Sequence, residues 1–547
     1  MGARLFADTI RFCLPAWIAS VRGWDVGYHR ERASLRERAS RRELGSLQKA
    51  GAALRAPASY RELASLPKAG TVSRLEPLRL RLSGRPLGRV SERFLSVNLD
   101  PAQLVGGRFW GGEGRVERRA GGSAPVPPFD FTRERLVRLT RELAPAYLRI
   151  GGTASDEIFF DPDGADPPPP FRYTLSGRRW EEANRFALQC GLELVFTFNG
   201  GVGTRDRAGR WRAEQARTLL DYGRAQGDTL SACALGNEPN FFPVTQALWL
   251  PPEQWTEDYS ALRSLLGELA PGTRLLGPAC AFWPVVGELL PVFPRLLRQS
   301  GMLLDAVSWH YYPQQSRRSP VAVRRASPVR ALRASFLGES LRWARWVRGF
   351  RDRYAPGAEL WLEEAGNAQC GGEPGLSDRF AAGFWWLDLL GQMAAGGHQV
   401  VMRHNLSGAD YGLLSAESLE SNPDYWNSLL WRRLMGTEVL EAGSTPTRPD
   451  LRLYAHRTRG KENSVTVLAL NISRRETLCL DTGGGAAEIY LLSAPRLLGR
   501  ELFLNGRRLA AGKDGSLPAL EPRLDRRGIV ELPPASYAFV VLDRSFG

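Results

Sequence analysis

The sequence predicts an α/β chain built as a (β/α)8 TIM barrel with an appended antiparallel β-sandwich domain. Two observations carry this prediction. Over residues 93–435 eight strand-like apolar runs alternate with segments of helical period, and from about residue 436 short alternating strands run on without helices. A third observation narrows it: no G-x-G-x-x-G follows the first strand, which argues against an open doubly wound sheet.

The elements come in chain order. Residues 1–70 read as a basic N-terminal extension, helical or disordered, with the near-repeat RERAS, RERAS, RRELGSL and YRELASL between 30 and 66. Residues 71–92 (TVSRLEPLRLRLSGRPLGRVSE) alternate like strands but have no local neighbours, so they are expected to join the C-terminal sandwich. The barrel strands are FLSVNLD, AYLRIGG, LELVFTFNGG, LSACALGNE, RLLGPAC, LLDAVSWHYY, ELWLEEAG and HQVVMRHNL. TRERLVRLTRELA, AEQARTLLDYGRAQG and SDRFAAGFWWLDLLGQMAAGG are among the intervening helices, with Gly or Pro punctuation between elements. Residues 436–547 supply the sandwich: LRLYAHRTR, SVTVLALNIS, RETLCLD, AEIYLLSA and GIVELPPASYAFVVLD.

Composition excludes several classes. The 547 residues are 43% hydrophobic with 16 Trp, enough for a large core and incompatible with disorder throughout. Six scattered cysteines form no C-x-x-C pair, and five histidines show no H-E-x-x-H spacing; neither a zinc signature, a disulfide framework nor a metalloenzyme is indicated. No apolar run of 18 residues predicts a membrane span. Asp8 and Arg11 interrupt the N-terminal apolar stretch, a poor signal peptide. Net charge is +15, nearly all of it from Arg; this fits an acidic polysaccharide, a nucleic acid or a biased genome composition, and no nucleic-acid motif accompanies it.

Barrel active sites sit at the C-terminal ends of the strands, so polar residues there form the short list. They are Asp100, Thr153, Asp156, Asn237, Glu238, His310, Tyr311, Tyr312, Glu363, Glu364, Arg403 and His404. In ALGNEPN an apolar strand exits into a carboxylate, and a second acid follows strand 7 across the mouth. Two carboxyl groups without a metal set suit glycoside hydrolysis, one donating a proton to the leaving oxygen and the other attacking the anomeric carbon. Strand neighbours point to opposite faces, so only one of Glu363 and Glu364 is expected to reach the sugar.

LSVNLD, AYLRIGGTASDEIFFDP, ALGNEPN, SWHYY, LSDRFAAGFWWLDLLGQMA, VVMRHNLSGADYGLL and PDYWNSLLWRRLMGTEVL together resemble glycoside hydrolase family 79, the heparanase family, from about residue 72 onward. The resemblance implies retaining β-glucuronidase chemistry without cofactor, with Glu238 as proton donor and Glu364 as nucleophile. It implies uronate contacts from Asp100, Thr153, Asn237, Tyr312 and Tyr411, backbone N–H groups at Cys370 and Gly371 for the sugar carboxylate, and His310 orienting the nucleophile's surroundings. It also implies an acidic polysaccharide or glucuronide as partner, a monomer, and a secreted or periplasmic location.

Departures bear on substrate. FFDPDGADPPPPFRYTLSGRRW replaces the long excised linker of animal members, so cleavage into two chains is not expected. GPACAFWPVV replaces a Gln and two basic residues that face a sulfated chain, and Cys370 replaces a glycine. QQSRRSPVAVRRASPVRALRASF, after strand 6, is either a sulfate-binding edge or a solvated loop; AFWP and NFFP either stack on sugars or cap the barrel. A non-catalytic glycan-binding relative is the alternative function, and retention of both acids argues against it.

Overall fold

The computed structural model describes the backbone of residues 73–74 and residues 76–111, 123–284, 287–288, 290–319 and 323–544. The expected N-terminal extension lies outside the described residues.

Eight parallel strands close into a barrel: β1 (Leu95–Leu99), β2 (Ala146–Ile150), β3 (Leu192–Phe198), β4 (Ala232–Leu235), β5 (Arg274–Phe282), β6 (Ala306–Tyr311), β7 (Glu359–Ala365) and β8 (Val400–Arg403). Each pairs with its sequence neighbours, and β8 closes on β1 through Val401 opposite Leu95. All eight are buried over almost their whole length, sealed inside by their own side chains and outside by helices. Tyr147, Val195, Ala232, Ala234, Leu276, Ala306, Trp361, Val400 and Met402 fill the lower interior. The Arg274 guanidinium lies over Trp361 and pairs with Glu359 below them. Higher in the bore the layer turns polar, with Arg149 and Glu363 fully buried.

Helix α1 (Phe380–Ala395) is buried on nearly every face, which explains its almost uniformly apolar sequence FAAGFWWLDLLGQMAA. Its outer side meets the C-terminal sheet, where Phe380 stacks on Tyr537 with centroids 5.1 Å apart. Helix α2 (Pro423–Leu434) passes directly into the strand Met435–Thr445, so barrel and sheet share a continuous element.

Among the described residues the C-terminal sheet has twelve strands. Leu78–Arg89 pairs antiparallel with Met435–Thr445, joining the two ends of the described chain. The sheet is not wholly antiparallel. Leu78 and Arg79 run parallel to Leu480 and Asp481, as do Ser73 and Arg74 to Glu476 and Thr477. These strands arrive from the other end of the chain, so no hairpin dictates their direction. Leu78, Leu80, Val465, Val467, Ile489, Val540 and their neighbours form this sheet's own apolar core.

Candidate active site

Glu238 does not sit on a strand. β4 ends at Leu235, and the chain turns through Gly236 (φ 71°) and Glu238 itself (φ 55°) before the 3-10 turn Pro239–Phe241. Gly236 is needed there, since a Cβ would lie 2.9 Å from Phe242 Cζ. Two clamps hold this turn. The buried Asp156 accepts the N–H of Gly200 at 2.9 Å and that of Asn237 at 3.0 Å. Asn240 exchanges two hydrogen bonds with the backbone of Ala281 on β5. Glu238, 14% exposed at its side chain, then places Oε1 3.0 Å from His310 Nδ1.

Glu364 lies across the mouth. Its Oε1 accepts the Tyr312 hydroxyl at 2.6 Å, and its Oε2 lies 3.0 Å from Arg149 Nη1, 3.7 Å from His310 Nδ1 and 3.9 Å from His404 Nδ1. Glu363 also points inward, with Oε1 2.9 Å from Arg149 Nε. This corrects the expectation from strand alternation. On β7, Leu362 faces Trp309 but Glu364 faces His310, and Glu363 and Glu364 together oppose the single Met402 of β8. The extra residue is a bulge, which turns both carboxylates to one side. The two acids still differ: Glu363 is sealed from solvent and Glu364 reaches the cleft.

The sequence-predicted residues divide clearly. Glu238, Glu364, His310, Tyr312 and Asn237 form one bonded cluster, Asn237 joining through Oδ1 to Arg149 Nη2 at 3.1 Å. His310 bonds Glu238 rather than chiefly the environment of Glu364. Tyr411 is buried edge-on against His404, and its ring lies 6.3 Å from that of Tyr312. Asp100 caps the short helix Pro101–Val105 through the Ala102 N–H at 2.8 Å, with its other oxygen against Gly152. Thr153, itself exposed, opens a 3-10 turn whose Ala154, Ser155 and Asp156 are buried, and it makes no hydrogen bond to the cluster among the described residues. Cys370, Gly371 and Gly372 take left-handed φ of 60°, 83° and 82° in succession, and their N–H groups donate to no acceptor among the described residues. Trp110 closes against Gly371, where a Cβ would lie 2.4 Å from its own Cβ.

Sequence reasoning missed Arg149. The available signal was an arginine at the inward register of AYLRIGG, a charge that a barrel interior tolerates only when paired. Three of the six arginines after β6 are committed to acids: Arg317 pairs with Glu373, Arg318 with Asp410 and Arg324 with Glu339. Half of that segment's positive charge is therefore neutralised within the fold. Phe241 and Trp283 stack on each other at 4.9 Å and are 7% and 6% exposed, so they cap the barrel rather than present open faces.

The electrostatics separate the two mouth acids. Burial raises Glu238 above the usual carboxylate range, and the nearby Glu364 charge adds to this against the opposing His310 contact. Burial would raise Glu364 too, but His404, His310, Arg149 and the Tyr312 hydroxyl reverse it and hold the group well below that range. Burial pushes His404 itself down to about 4, whereas the facing carboxylates Glu363 and Glu364 hold the Arg149 guanidinium protonated. Glu238, His310 and Glu364 offer ligand atoms within 4.8 Å of one another, a spacing that suits a divalent cation, although the adjacent guanidinium already supplies positive charge.

A closed parallel barrel with two carboxylates of opposed proton affinity meeting at its C-terminal mouth defines the class of a glycoside hydrolase. The model of the glycosyl hydrolase family 79 N-terminal domain matches residues 117–391. Heparanase from Mus musculus is 31% identical over 518 residues, covering 84% of this chain and 91% of that protein. Baicalin-beta-D-glucuronidase from Scutellaria baicalensis is 29% identical over 512 residues, covering 85% and 92%. The chain belongs to glycoside hydrolase family 79. Its fold is also that of the GH51 arabinofuranosidase from Xanthomonas axonopodis pv. citri, with TM-score 0.59 at 14% identity over 85% of this chain and 99% of the other.

Proposed function

We propose that this protein is a retaining β-glucuronidase acting as a monomer on glucuronic-acid-containing glycans or smaller glucuronides, with Glu238 as acid/base and Glu364 as nucleophile. In this reading residues 93–435 are the catalytic barrel, and residues 71–92 and 436–547 form the accessory sandwich. One observation carries it: the two acids share His310, and their nearest oxygens lie within 4.8 Å. Such closeness favours retention, for which the carboxyl groups stand about 5–5.5 Å apart, over inversion, for which they stand about 6.5–9.5 Å apart.

The chemistry follows from the environments. Glu364, kept ionised by Arg149 and Tyr312, attacks the anomeric carbon, while Glu238, kept protonated by burial, gives its proton to the leaving oxygen. The Glu238 carboxylate then takes a proton from the water that cleaves the glycosyl ester. Arg149 occupies Asn237 Oδ1, leaving Nδ2 for the sugar 2-hydroxyl. The undonated N–H groups at Cys370 and Gly371 suit the uronate carboxylate, as oriented backbone donors suit anions generally. The names of the two relatives accord with this substrate class. A non-catalytic relative would have no use for an acid pair of opposed proton affinity.

The test is turnover of a chromogenic β-glucuronide by wild type and Glu364→Gln, with the first-formed sugar followed by NMR. Wild-type activity, a loss of at least about 10³-fold in the variant and initial release of the β-anomer are expected. Release of the α-anomer refutes retention, and inactivity of wild type on every uronide tried refutes the enzyme.

A further inference from the structure

We propose that a cationic crevice at the junction of barrel and sandwich, remote from the catalytic mouth, is a second binding site for a sugar chain bearing sulfate or carboxylate groups. The crevice is about 400 Å³, within the usual range of about 300–1,000 Å³ for ligand sites. Its walls are the helix Glu339–Tyr354, the last turn of α1 and the sheet strand Leu451–Thr458. α1 descends from the mouth and ends at Gly396, just before β8 begins at Val400. The wall at Ala395 and Gly396 is therefore at the N-terminal face of the barrel, opposite Glu238 and Glu364.

Among the described residues the lining contains three arginines and no carboxylate. Arg452 is committed to Asp388 behind it, Nε to Oδ1 at 2.8 Å, and the Tyr454 hydroxyl donates to the same carboxylate at 2.6 Å. Gln392 is also satisfied, through Ser340 and the Leu337 carbonyl. The other two arginines are differently placed. Arg348 makes one long contact, Nη1 to the Gly396 carbonyl at 3.4 Å, and keeps its remaining donors. Arg345 is exposed and makes no hydrogen bond, ion pair or ring contact among the described residues. They lie one helical turn apart on the face that overlooks the crevice.

Two unneutralised guanidinium forks over a floor of Leu341, Leu451, Leu453 and the Tyr454 ring match an anionic sugar. The forks take sulfate or carboxylate oxygens and the apolar floor takes the C–H face of the ring. Such an exosite anchors a long chain while another stretch of it occupies the mouth, raising the effective concentration of the scissile bond. That use rests on the glucuronidase reading; the binding itself does not.

The test compares wild type with Arg345→Glu/Arg348→Glu, and with Arg345→Gln/Arg348→Gln should the reversed charges impair folding. Heparin-derived and hyaluronan hexasaccharides are titrated by calorimetry, which separates sulfate from carboxylate recognition. KM is measured on polymer and on a small chromogenic glucuronide. We expect loss of one binding site or at least tenfold weaker hexasaccharide binding, at least fivefold higher polymer KM, and unchanged kinetics on the small substrate. Unchanged affinity and stoichiometry for both hexasaccharides overturns the proposal. Wild type inactive on the small glucuronide, with hexasaccharide binding still dependent on Arg345 and Arg348, refutes the catalytic reading and leaves the exosite standing.

Discussion

Arg149 Nη1 lies 3.0 Å from Glu364 Oε2, deep in a barrel where the guanidinium is sealed from water and the carboxylate only just reaches the cleft. The same guanidinium reaches Glu363 and Asn237, so one side chain ties β2 to β7 and to the turn after β4. A buried cation facing two buried carboxylates is costly to desolvate, and the geometry offsets this by giving three different donors an acceptor each.

Arg149→Lys keeps the charge and loses the fork. We expect kcat/KM to fall about 10²- to 10³-fold, and the acid limb of the pH profile to move upward because Glu364 loses part of what holds its proton affinity down. Arg149→Met, which strands both carboxylates, is expected to destabilise the fold by about 3–5 kcal/mol. Initial rates across pH and urea midpoints check both; an unchanged acid limb in Arg149→Lys contradicts the assigned role.

His310 bonds Glu238 and holds its proton affinity down against burial. In His310→Ala the Glu238 carboxyl therefore stays protonated to higher pH. The alkaline limb of kcat/KM, which reports loss of the acid's proton, should shift upward while the maximum rate falls. A downward shift means that His310 acts elsewhere.

Asp156 is pushed up to about 7 by burial, despite two backbone donors. Its unfolded value is about 3.9, so between roughly pH 4 and 7 the folded state binds the extra proton. The stability this group contributes is fully present below about pH 4 and is lost as pH rises through 7, at up to about 1.4 kcal/mol per pH unit. Asp156→Asn cannot titrate and leaves one of the Gly200 and Asn237 N–H groups unpaired, at about 1–3 kcal/mol. Urea midpoints from pH 4 to 8 should show the gap between wild type and variant narrowing as pH rises. Parallel curves contradict the assignment.

Cys370 holds a left-handed backbone that glycine adopts without strain. Cys370→Gly is expected to preserve glucuronide turnover within a few-fold and to cost no stability, since the backbone rather than the thiol faces the carboxylate. Gly371→Ala, at φ 83° and against Trp110, is expected to raise KM at least tenfold. Loss of activity in Cys370→Gly shifts the carboxylate contact to the thiol.

Much of this molecule is legible in its sequence for local reasons. The period of apolar runs marks strands and helices, and the acids at strand exits mark a mouth, because barrel strands are buried and charge collects where they end. Helix α1 is readable from its composition alone, as is the change of texture near residue 436. The parallel pairings of Leu78 and Ser73 are not, since strand direction across four hundred residues is set by assembly and not by any local pattern.

The pair of acids and the scaffold that presents them can thus be read from the order of residues alone. Their environment cannot: it comes from a single extra residue in β7 that turns Glu363 inward beside Glu364, and from an arginine of β2 that meets both. The reason is physical. Alternation along a strand depends on near neighbours, whereas a bulge and a buried charge are settled by partners on other strands, and these become neighbours only when the barrel closes.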